Sequence, residues 1–394
     1  MQKTKYLIIG NGIAGLSAAK EIRNNDKQGT ITMISSESYH TYYRVRLTEC
    51  LSKDFKDEEL LVNKDKWYEE KDIKVLLNKI VDKIGVDKSK VRLDDRIDIE
   101  YEKLLLATGS RPFIPPVAGK FKQGVLALRT LRDLKYIRSY FDNCNSITVI
   151  GGGLLGLEAA WSLKKLGKKI NIVEFAPYLL PRQLDEEIGI KLEKKLKEES
   201  FNIYLSSAAD EILGENRANG ILLRDGKKIE TDGILFSVGI RPNLDIIRDT
   251  SIEYDKGIIV NKNLRTNIDN IYAAGDVIQI DGMVIGLWTS ANEQGKVAGA
   301  NMSGNALEYT EAKLFTSLSL GDIKLFSVGD IKDFDKVYEY KDENDGIHHK
   351  LFTTEGKLTG GILFGDTKSM GKLKKAVTEN IDIDSYLDGN VQFK

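Results

Sequence analysis

A chain of 394 residues is too long for one ordinary hydrophobic core, so its length predicts two or three domains. Lysine and arginine number 58 against 59 aspartates and glutamates, and 41% of the residues are hydrophobic. This balance is typical of a globular protein and excludes a global field that would attract nucleic acid or an anionic membrane. Any charged partner must be recognised by a local patch.

Cysteine and histidine are too few for several kinds of site. The two cysteines, Cys50 and Cys144, lie far apart and exclude a disulfide framework and a CxxC or CxxxxC redox pair. Together with three histidines they leave no zinc or iron–sulfur spacing, so we expect no metal. His348 and His349 would point to opposite faces of a strand, and we expect them in a surface loop or at a strand end.

Neither apolar stretch of the sequence is typical of a membrane segment. The N-terminal stretch is interrupted by glycine and asparagine and has no small-residue cleavage site. Residues 147–163 are too few and too broken by glycine and glutamate to span a bilayer. We therefore expect a cytoplasmic protein with no membrane partner.

The first element is an apolar strand that runs into a glycine turn, YLIIGNGIAG at residues 6–15. Gly10 permits the tight turn, Gly12 lets the backbone approach a pyrophosphate, and Gly15 lets the next helix pack close to the strand. The helix N-terminus offers unpaired N–H groups to phosphates. A second strand then ends at Ser36 and Glu37, where an acid can accept hydrogen bonds from ribose hydroxyls.

A third apolar strand, near residues 101–106, ends in the sequence ATG at residues 107–109. Prolines at 112, 115 and 116 follow and predict a crossover to another part of the fold.

The glycine turn then occurs a second time, SITVIGGGLLG at residues 146–156, and again opens a helix. Its second strand ends at Glu174, 23 residues after Gly151, close to the roughly 20 that this fingerprint requires. No arginine stands beside Glu174, so its carboxylate should repel a 2′-phosphate and favour NADH over NADPH.

Further along, a second glycine hinge occupies residues 233–243, and residues 270–277 place Asp276 just after a strand of small residues. From about Leu307 short strands are expected at 314–320, 323–328, 336–340, 348–354 and 358–364, followed by a helix at 368–379.

The first glycine turn, the ATG strand, the second glycine turn, the second glycine hinge and the segment of Asp276, in this order, resemble the pyridine-nucleotide–disulfide oxidoreductase superfamily of flavoproteins. The resemblance implies an α/β fold class with two Rossmann-like dinucleotide-binding domains, the NAD domain being inserted in the FAD domain, plus a small α+β C-terminal domain. The implied boundaries are 1–112 and 239–306 for the FAD-binding domain, 113–238 for the NAD-binding domain and 307–394 for a C-terminal interface domain.

The resemblance also implies that FAD binds at the first glycine turn and NADH at the second. Residues 288–291, with Gln294 and Gly295, would line the pyrimidine side of the flavin. The expected cofactor contacts are Gly10, Gly12, Ala14, Gly15, Ser36, Glu37, Arg44, Val81, Ala107, Thr108, Gly109, Arg111, Gly151, Gly153, Leu155, Gly156, Glu174, Gly239, Gly275, Asp276 and Trp288.

The branch of the superfamily depends on what replaces the redox cysteines. Disulfide reductases carry a CxxxxC pair, which is absent here. NADH oxidases and peroxidases need a cysteine nearer to Val45, so we expect Cys50 to be an ordinary buried residue.

Residues 42–49, YYRVRLTE, instead resemble the Y-x-R-x-x-L-S-K stretch of one-electron flavoprotein reductases: NADH–rubredoxin reductases, oxygenase-type ferredoxin reductases and the N-terminal part of nitrite reductase. Glu49 stands where that family has a lysine, which can pair with the glutamate matching Glu158 near the flavin. Arg44 or Arg46 could replace the lysine, and we predict Arg44 and Glu158 as catalytic-site residues. The alternative is that these arginines form weak surface ion pairs.

The function that the resemblance implies is transfer of a hydride from NADH to FAD and then of single electrons to rubredoxin or a similar small acidic iron protein. The alternatives are an NADH oxidase or peroxidase and the flavin module of a nitrite-reductase-like complex. A lysine cluster at Lys368, Lys372, Lys374 and Lys375 is either a docking surface for the acidic partner or a solvated helix face. The chain is expected to be a monomer or a homodimer.

Overall fold

The computed structural model describes residues 2–311 and 313–388, so the last residues of the expected C-terminal domain lie outside the described part. The strands in chain order are β1 (Gln2–Ile9), β2 (Ile31–Ile34), β3 (Ile73–Leu76), β4 (Val81–Gly85), β5 (Lys90–Leu93), β6 (Asp98–Leu106), β7 (Ser110–Pro112), β8 (Val125–Ala127), β9 (Ser146–Ile150), β10 (Lys169–Val173), β11 (Asn202–Tyr204), β12 (Ala209–Leu213), β13 (Gly220–Leu223), β14 (Lys228–Glu230), β15 (Gly233–Phe236), β16 (Ile240–Pro242), β17 (Ile258–Ile259), β18 (Ile271–Ala273), β19 (Ile278–Gln279), β20 (Phe315–Leu320), β21 (Ile323–Gly329), β22 (Lys336–Asp342), β23 (Ile347–Thr354) and β24 (Lys357–Phe364). The helices are α1 (Ile13–Asn25), α2 (Asp57–Leu60), α3 (Asp65–Glu70), α4 (Leu131–Phe141), α5 (Leu154–Lys165), α6 (Glu186–Glu198), α7 (Trp288–Met302), α8 (Met370–Thr378) and α9 (Ile383–Asp388). None of these described helices is long and apolar enough to cross a membrane.

The chain divides into two compact units. Unit 1 comprises Met1–Arg46, Asp54–Phe113 and Gly239–Glu311. Unit 2 comprises Leu47–Lys53, Ile114–Val238 and Ala312–Lys394. The domain boundaries expected near 112 and 238 lie beside two of these divisions and stay predictions.

Unit 1 is built on a largely parallel sheet in the order β3-β2-β1-β6, with β18 beside the C-terminal half of β6. The antiparallel β4–β5 hairpin continues from the N-terminal half of β6. All four residues of β2 are buried, as expected of a parallel strand covered on both faces.

Helices α1 and α7 of unit 1 lie directly against each other because α7 presents glycines to α1. A Cβ on Gly295 would lie 2.3 Å from the Ala14 carbonyl oxygen, and one on Gly299 would lie 2.5 Å from that of Ala18. Neither distance is possible for a real side chain, so glycine is required at both positions.

Unit 2 contains a second parallel sheet in the order β11-β10-β9-β15-β8, with α5 following β9 as α1 follows β1. Two parallel sheets, each with a helix after its central strand, confirm the expected α/β class.

The C-terminal part of unit 2 is an antiparallel sheet in the order β20-β21-β24-β23-β22, with α8 packed on β21 and β24. The five strands expected from the sequence are present, within two residues at each end. The helix is shorter than expected and begins at Met370 rather than at residue 368.

The two adjacent histidines lie inside β23, and His348 and His349 are only 0% and 3% exposed. The expectation of a surface loop was therefore wrong, whereas the alternative of a strand end agrees with their position as the second and third residues of β23. Polar partners offset the cost of burying each ring. Nε2 of His348 lies 2.7 Å from Glu339 Oε1, and Nε2 of His349 lies 2.7 Å from the Asp366 carbonyl oxygen.

A buried lysine joins the C-terminal sheet to α6. Lys350 Nζ lies 2.5 Å from Asp185 Oδ2, 2.7 Å from Glu187 Oε2 and 3.2 Å from Glu339 Oε1. The other oxygen of Asp185 caps α6 by accepting the Ile188 N–H at 3.1 Å. We call Lys350, Asp185, Glu187, Glu339, Lys341 and His348 the Lys350 cluster.

Acid should weaken the Lys350 cluster through Glu187. Hydrogen bonds first from Lys341 and then from Lys350 lower the pKa of Glu187 from 4.5 to about 2. A carboxyl with a depressed pKa in the folded state contributes stability above its unfolded pKa and loses it as pH falls from about 4.5 towards 2. Glu187→Gln should therefore flatten the fall of the thermal unfolding midpoint over this range. Glu186→Gln, on the same helix but outside the cluster, is the control; equal pH profiles for the two variants would contradict the prediction.

Candidate functional site

The two glycine turns share one stereochemistry. Gly10 has φ +117° and Gly151 has φ +115°, in a region that favours glycine. A Cβ on Gly10 would lie 2.0 Å from the carbonyl oxygen of Ala107, at the end of β6, and one on Gly151 would lie 2.2 Å from that of Ser237, at the end of β15. Each turn therefore packs against the neighbouring parallel strand at the carboxyl end of the sheet, which is the edge where dinucleotides bind in folds of this kind.

The remaining glycines of each turn have different physical roles. A Cβ on Gly15 or Gly156 would lie 2.1 Å from the carbonyl oxygen of Gly10 or Gly151 respectively, so only glycine lets α1 and α5 start this close to their strands. Gly12 and Gly153 are the N-caps of these helices, and nothing lies within 4 Å of their Cβ positions. Both helix N-termini thus face open space, which suits an anionic phosphate.

In unit 1, Glu37, the acid after β2, forms hydrogen bonds with two neighbouring side chains. Glu37 accepts hydrogen bonds from the Tyr42 hydroxyl and from Arg44 Nη2, both at 2.7 Å. Burial opposes the charge of Arg44, but the nearby Tyr42, Glu37 and Asp276 raise its pKa, so it remains a cation. This geometry places the Arg44 side chain beside Glu37, and its predicted catalytic role stays a prediction.

Asp276 follows β18 and is oriented by groups from two other segments. Its Oδ2 accepts the Ser110 hydroxyl at 2.9 Å. The amide oxygen of Gln294 accepts the Gly275 N–H at 2.9 Å and so fixes the turn before Asp276. Gln294 is only 2% exposed, and Gly295 packs on Ala14. Both residues thus have partners within unit 1, and their expected place beside the flavin stays a prediction.

The start of α7 offers a buried donor. The Nε1 of Trp288 is buried and has no partner among the described residues, and its ring stacks on Tyr43 with centroids 6.0 Å apart. An indole N–H in this state is available to an acceptor atom of a ligand. We call Gly10, Gly12, Gly15, Glu37, Asp276 and Trp288 the first dinucleotide site. These residues fit FAD: there is open space for a pyrophosphate at Gly12, Glu37 can accept ribose hydroxyls, and the Trp288 N–H can donate to the ring system.

The second dinucleotide site lies in unit 2 and consists of Gly151, Gly153, Gly156 and Glu174. The Glu174 carboxylate follows β10 and accepts the Gly152 N–H at 2.6 Å and the Ala176 N–H at 2.8 Å. Each oxygen keeps further lone pairs, so two ribose hydroxyls can still be accepted. These residues fit the adenosine ribose and pyrophosphate of NADH. Leu155, also expected as a contact, is 53% exposed.

Glu158, one turn into α5, has a partner that was not expected. The Thr48 hydroxyl donates to Glu158 Oε2 at 2.9 Å. Arg44 pairs with Glu37, and Arg46 donates to the Glu59 carbonyl at 3.1 Å. Thr48 therefore stands where an arginine was predicted. Threonine is neutral, so sequence reasoning that looked for a replacement cation overlooked it.

Other expected contacts have structural partners as well. Arg111 Nη1 pairs with Asp245 at 2.8 Å on an exposed edge. Thr108 and Asn243 exchange hydrogen bonds of 3.2 and 2.9 Å, next to the antiparallel pair β7–β16. Ser36 is exposed, Gly109 has φ +64° and Gly239 has φ +101°. Val81 begins β4 and is partly buried. Cys50 is only 2% exposed, in agreement with an ordinary buried cysteine.

One residue that shapes the first dinucleotide site, Asn11, was missed in the sequence. Asn11, inside the glycine turn, donates to the Tyr39 carbonyl at 3.0 Å and accepts the Thr41 hydroxyl at 2.6 Å. These bonds tie the turn to the segment after β2. The signal in the sequence that could have indicated this role is the polar side chain of Asn11 between Gly10 and Gly12.

Comparison with known proteins agrees with this geometry. Residues 4–295 match the family model for pyridine nucleotide-disulphide oxidoreductases, and residues 315–381 match the rubredoxin NAD⁺ reductase C-terminal domain. The chain is 34% identical to the NADH-rubredoxin oxidoreductase of Clostridium acetobutylicum, covering 98% of this chain and 97% of that protein. It is also similar to the crystal structure of a ferredoxin reductase from Rhodopseudomonas palustris, with a TM-score of 0.91, 26% identity and coverage of 99% and 98%.

A longer relative is equally similar in sequence. The nitrite reductase [NAD(P)H] of Bacillus subtilis is 35% identical over 97% of this chain, which spans only 48% of that protein. The chain thus spans about half the length of some curated relatives that it matches. The match of residues 4–295, together with the two glycine turns, confirms the expected family: this chain belongs to the pyridine nucleotide-disulphide oxidoreductases.

Proposed function

We propose that the chain binds FAD at the first dinucleotide site and NADH at the second, oxidises NADH, and passes single electrons to rubredoxin or a similar small iron protein in the cytoplasm. The observation that carries the proposal is the pair of glycine turns with matching stereochemistry, each ending a parallel strand and followed by an acid after the next strand, Glu37 or Glu174. Flavin supplies the step between a two-electron donor and a one-electron acceptor.

The residues of the first dinucleotide site bind and orient the cofactor. The N–H groups at the start of α1 receive the pyrophosphate, and Glu37 accepts ribose hydroxyls. Arg44, bound to Glu37, balances the negative charge of this acid and of the phosphates. The Trp288 N–H donates to an acceptor on the ring system.

The residues of the second dinucleotide site hold NADH in the same manner. The start of α5 receives its pyrophosphate, and Glu174 accepts the adenosine ribose hydroxyls. Glu158, one helical turn beyond the glycines, faces the nicotinamide end in this proposal. No cysteine carries electrons in this mechanism, in agreement with the absence of a CxxxxC pair from the sequence.

Lysines on and beside α8 are the proposed docking surface for an acidic partner. Lys368 precedes the helix, and Lys372, Lys374 and Lys375 lie on it. Lys374 Nζ lies 3.6 Å from the centre of the Phe315 ring, so this ammonium is also held by cation–π attraction. A positive surface of this kind mainly accelerates association and makes it sensitive to salt.

Parallel measurement of NADH oxidation with several acceptors tests the proposed function. The purified yellow protein should reduce rubredoxin faster than oxygen, ferredoxin or lipoamide, and its rubredoxin rate should fall as ionic strength rises. A rubredoxin rate no higher than the oxygen rate would eliminate the proposed acceptor while leaving FAD and NADH binding intact.

A flavin module within a nitrite-reductase-like complex is the second candidate, favoured by the B. subtilis relative of which this chain spans about half. Co-purification of a subunit carrying an iron–sulfur cluster and haem would support it. Full rubredoxin reduction by the isolated chain would count against it.

Glu174→Gln should raise the KM for NADH about tenfold, because one charged acceptor for the ribose is lost, at a cost of ~1.4 kcal/mol. The KM for NADPH should fall, since a carboxylate no longer repels the 2′-phosphate. Steady-state kinetics with both nucleotides measures the two effects. Glu198→Gln, on the exposed surface of α6, is the control, and a wild type that already prefers NADPH would refute the ribose argument.

A further inference from the structure

We propose that Thr48 is a positioning residue for Glu158: its hydroxyl orients the carboxyl and favours its ionised form while nicotinamide is bound. This inference rests on the proposed function, in which Glu158 faces the nicotinamide end of NADH. Thr48 is only 7% exposed, and its Oγ1 lies 2.9 Å from Glu158 Oε2. Among the described residues, Thr48 is the hydrogen-bond donor to the Glu158 carboxyl.

The strap Leu47–Lys53 holds Thr48 in place. It belongs to unit 2, whereas the residues before and after it belong to unit 1. Its 3-10 turn Glu49–Leu51 packs on α4 and α5, and Cys50 and Leu51 are 2% and 1% exposed. Arg138 of α4 donates to the carbonyls of Cys50 and Lys53 at 3.1 and 2.6 Å. The Thr48 hydroxyl is therefore fixed from both α4 and α5.

The surroundings of Glu158 influence its pKa in opposite directions. Burial raises the pKa of Glu158, the bond from Thr48 lowers it, and the nearby Glu49 carboxylate raises it further. Glu49 itself pairs with Lys53 at 2.7 Å, and Arg138 is bound to backbone carbonyls. Strand β20, which also packs on α5, has no ionisable side chain in its sequence FTSLSL. The Thr48 hydroxyl thus favours the ionised carboxyl in place of a cation.

An ionised carboxyl distinguishes the two oxidation states of the nucleotide. The nicotinamide ring of NAD⁺ carries a positive charge, and that of NADH does not. A carboxylate at Glu158 therefore attracts NAD⁺ by a Coulomb term that NADH lacks. Protonation of Glu158 removes this attraction, so NAD⁺ binding should weaken as pH falls through the pKa of Glu158.

The test is the dissociation constant of NAD⁺, measured by titration calorimetry of the FAD-loaded protein between pH 5 and 8. Thr48→Val should move the midpoint of its pH dependence upward by about half a pH unit, because a bond to the charged form is lost. Thr48→Ser should restore the wild-type midpoint. Glu49→Gln should move it downward, and Glu158→Gln should abolish this pH dependence.

The outcomes separate the inference from the proposed function. An unchanged midpoint in Thr48→Val, or equal shifts in Thr48→Val and Glu49→Gln, would overturn the role of Thr48 while NAD⁺ binding stands. No NAD⁺ binding by the wild type would overturn both. If Thr48→Val does not fold, a wild-type midpoint in Glu49→Gln or a persisting pH dependence in Glu158→Gln still overturns the inference.

Discussion

Gly12→Glu should yield a folded protein that is colourless because it holds no FAD. Nothing lies within 4 Å of the Cβ position of Gly12, and its φ of −85° is allowed for any residue, so the fold has no reason to change. The new carboxylate would stand at the N-terminus of α1, where the structure leaves room for a pyrophosphate, and would repel it sterically and electrostatically.

Gly153→Glu is the matched change at the second dinucleotide site. Its surroundings are equally open and its φ is −78°. The variant should keep its FAD while its KM for NADH rises by about 100-fold or more, a loss of ~2.7 kcal/mol.

Absorbance at the flavin band per polypeptide, circular dichroism and NADH titration measure these effects. Gly371→Glu is the control, since Gly371 on α8 is equally open but lies in neither site. If Gly12→Glu retained full FAD, or if Gly153→Glu lost FAD and kept NADH binding, the assignment of the two sites would be wrong.

Lys350→Met should lower the free energy of unfolding by about 3–5 kcal/mol, because it leaves the carboxylates of a partly buried cluster without their central cation. The Lys350 side chain is only 9% exposed and contacts Asp185, Glu187 and Glu339. Burial opposes its charge, but these three carboxylates raise the pKa of Lys350 above its ordinary value, so the side chain is a cation at neutral pH.

Urea unfolding followed by circular dichroism provides the measurement. Lys191→Met is the matched control on α6, since Lys191 forms a more exposed pair with Glu343 at 3.4 Å and should cost less than about 1 kcal/mol. Adding Glu187→Gln and Glu339→Gln to Lys350→Met should recover part of the loss, because the unpaired carboxylates are then removed. Equal effects of Lys350→Met and Lys191→Met would show that the cluster does not stabilise the chain.

Features that depend on neighbours in the chain could be predicted well. The glycine turns follow from local backbone sterics, and the structure gives Gly10 and Gly151 nearly equal φ angles. The five C-terminal strands could be placed because side chains alternate between faces, a pattern that is visible in any short run of sequence. Family and α/β class followed from the order of these motifs.

Contacts between distant segments could not be predicted. Thr48 reaches Glu158 across 110 residues of chain, and Lys350 reaches Asp185 across 165. His348 and His349 are buried because β23 lies between β22 and β24. The residues of β23 alone do not reveal that it is a central strand. The close contact of Gly295 with Ala14 of α1 was not predicted either, since it depends on which faces of two distant helices meet.

The sequence by itself determined where two dinucleotides can approach the backbone, because a tight turn and an open helix N-terminus need only a few consecutive residues. Only the tertiary structure decided which partners the charged side chains have. Arg44 pairs with Glu37, Glu158 receives the hydroxyl of Thr48, and Lys350 gathers three carboxylates. These choices depend on distances between segments and on the loss of water around each group, and both arise only when the chain has folded.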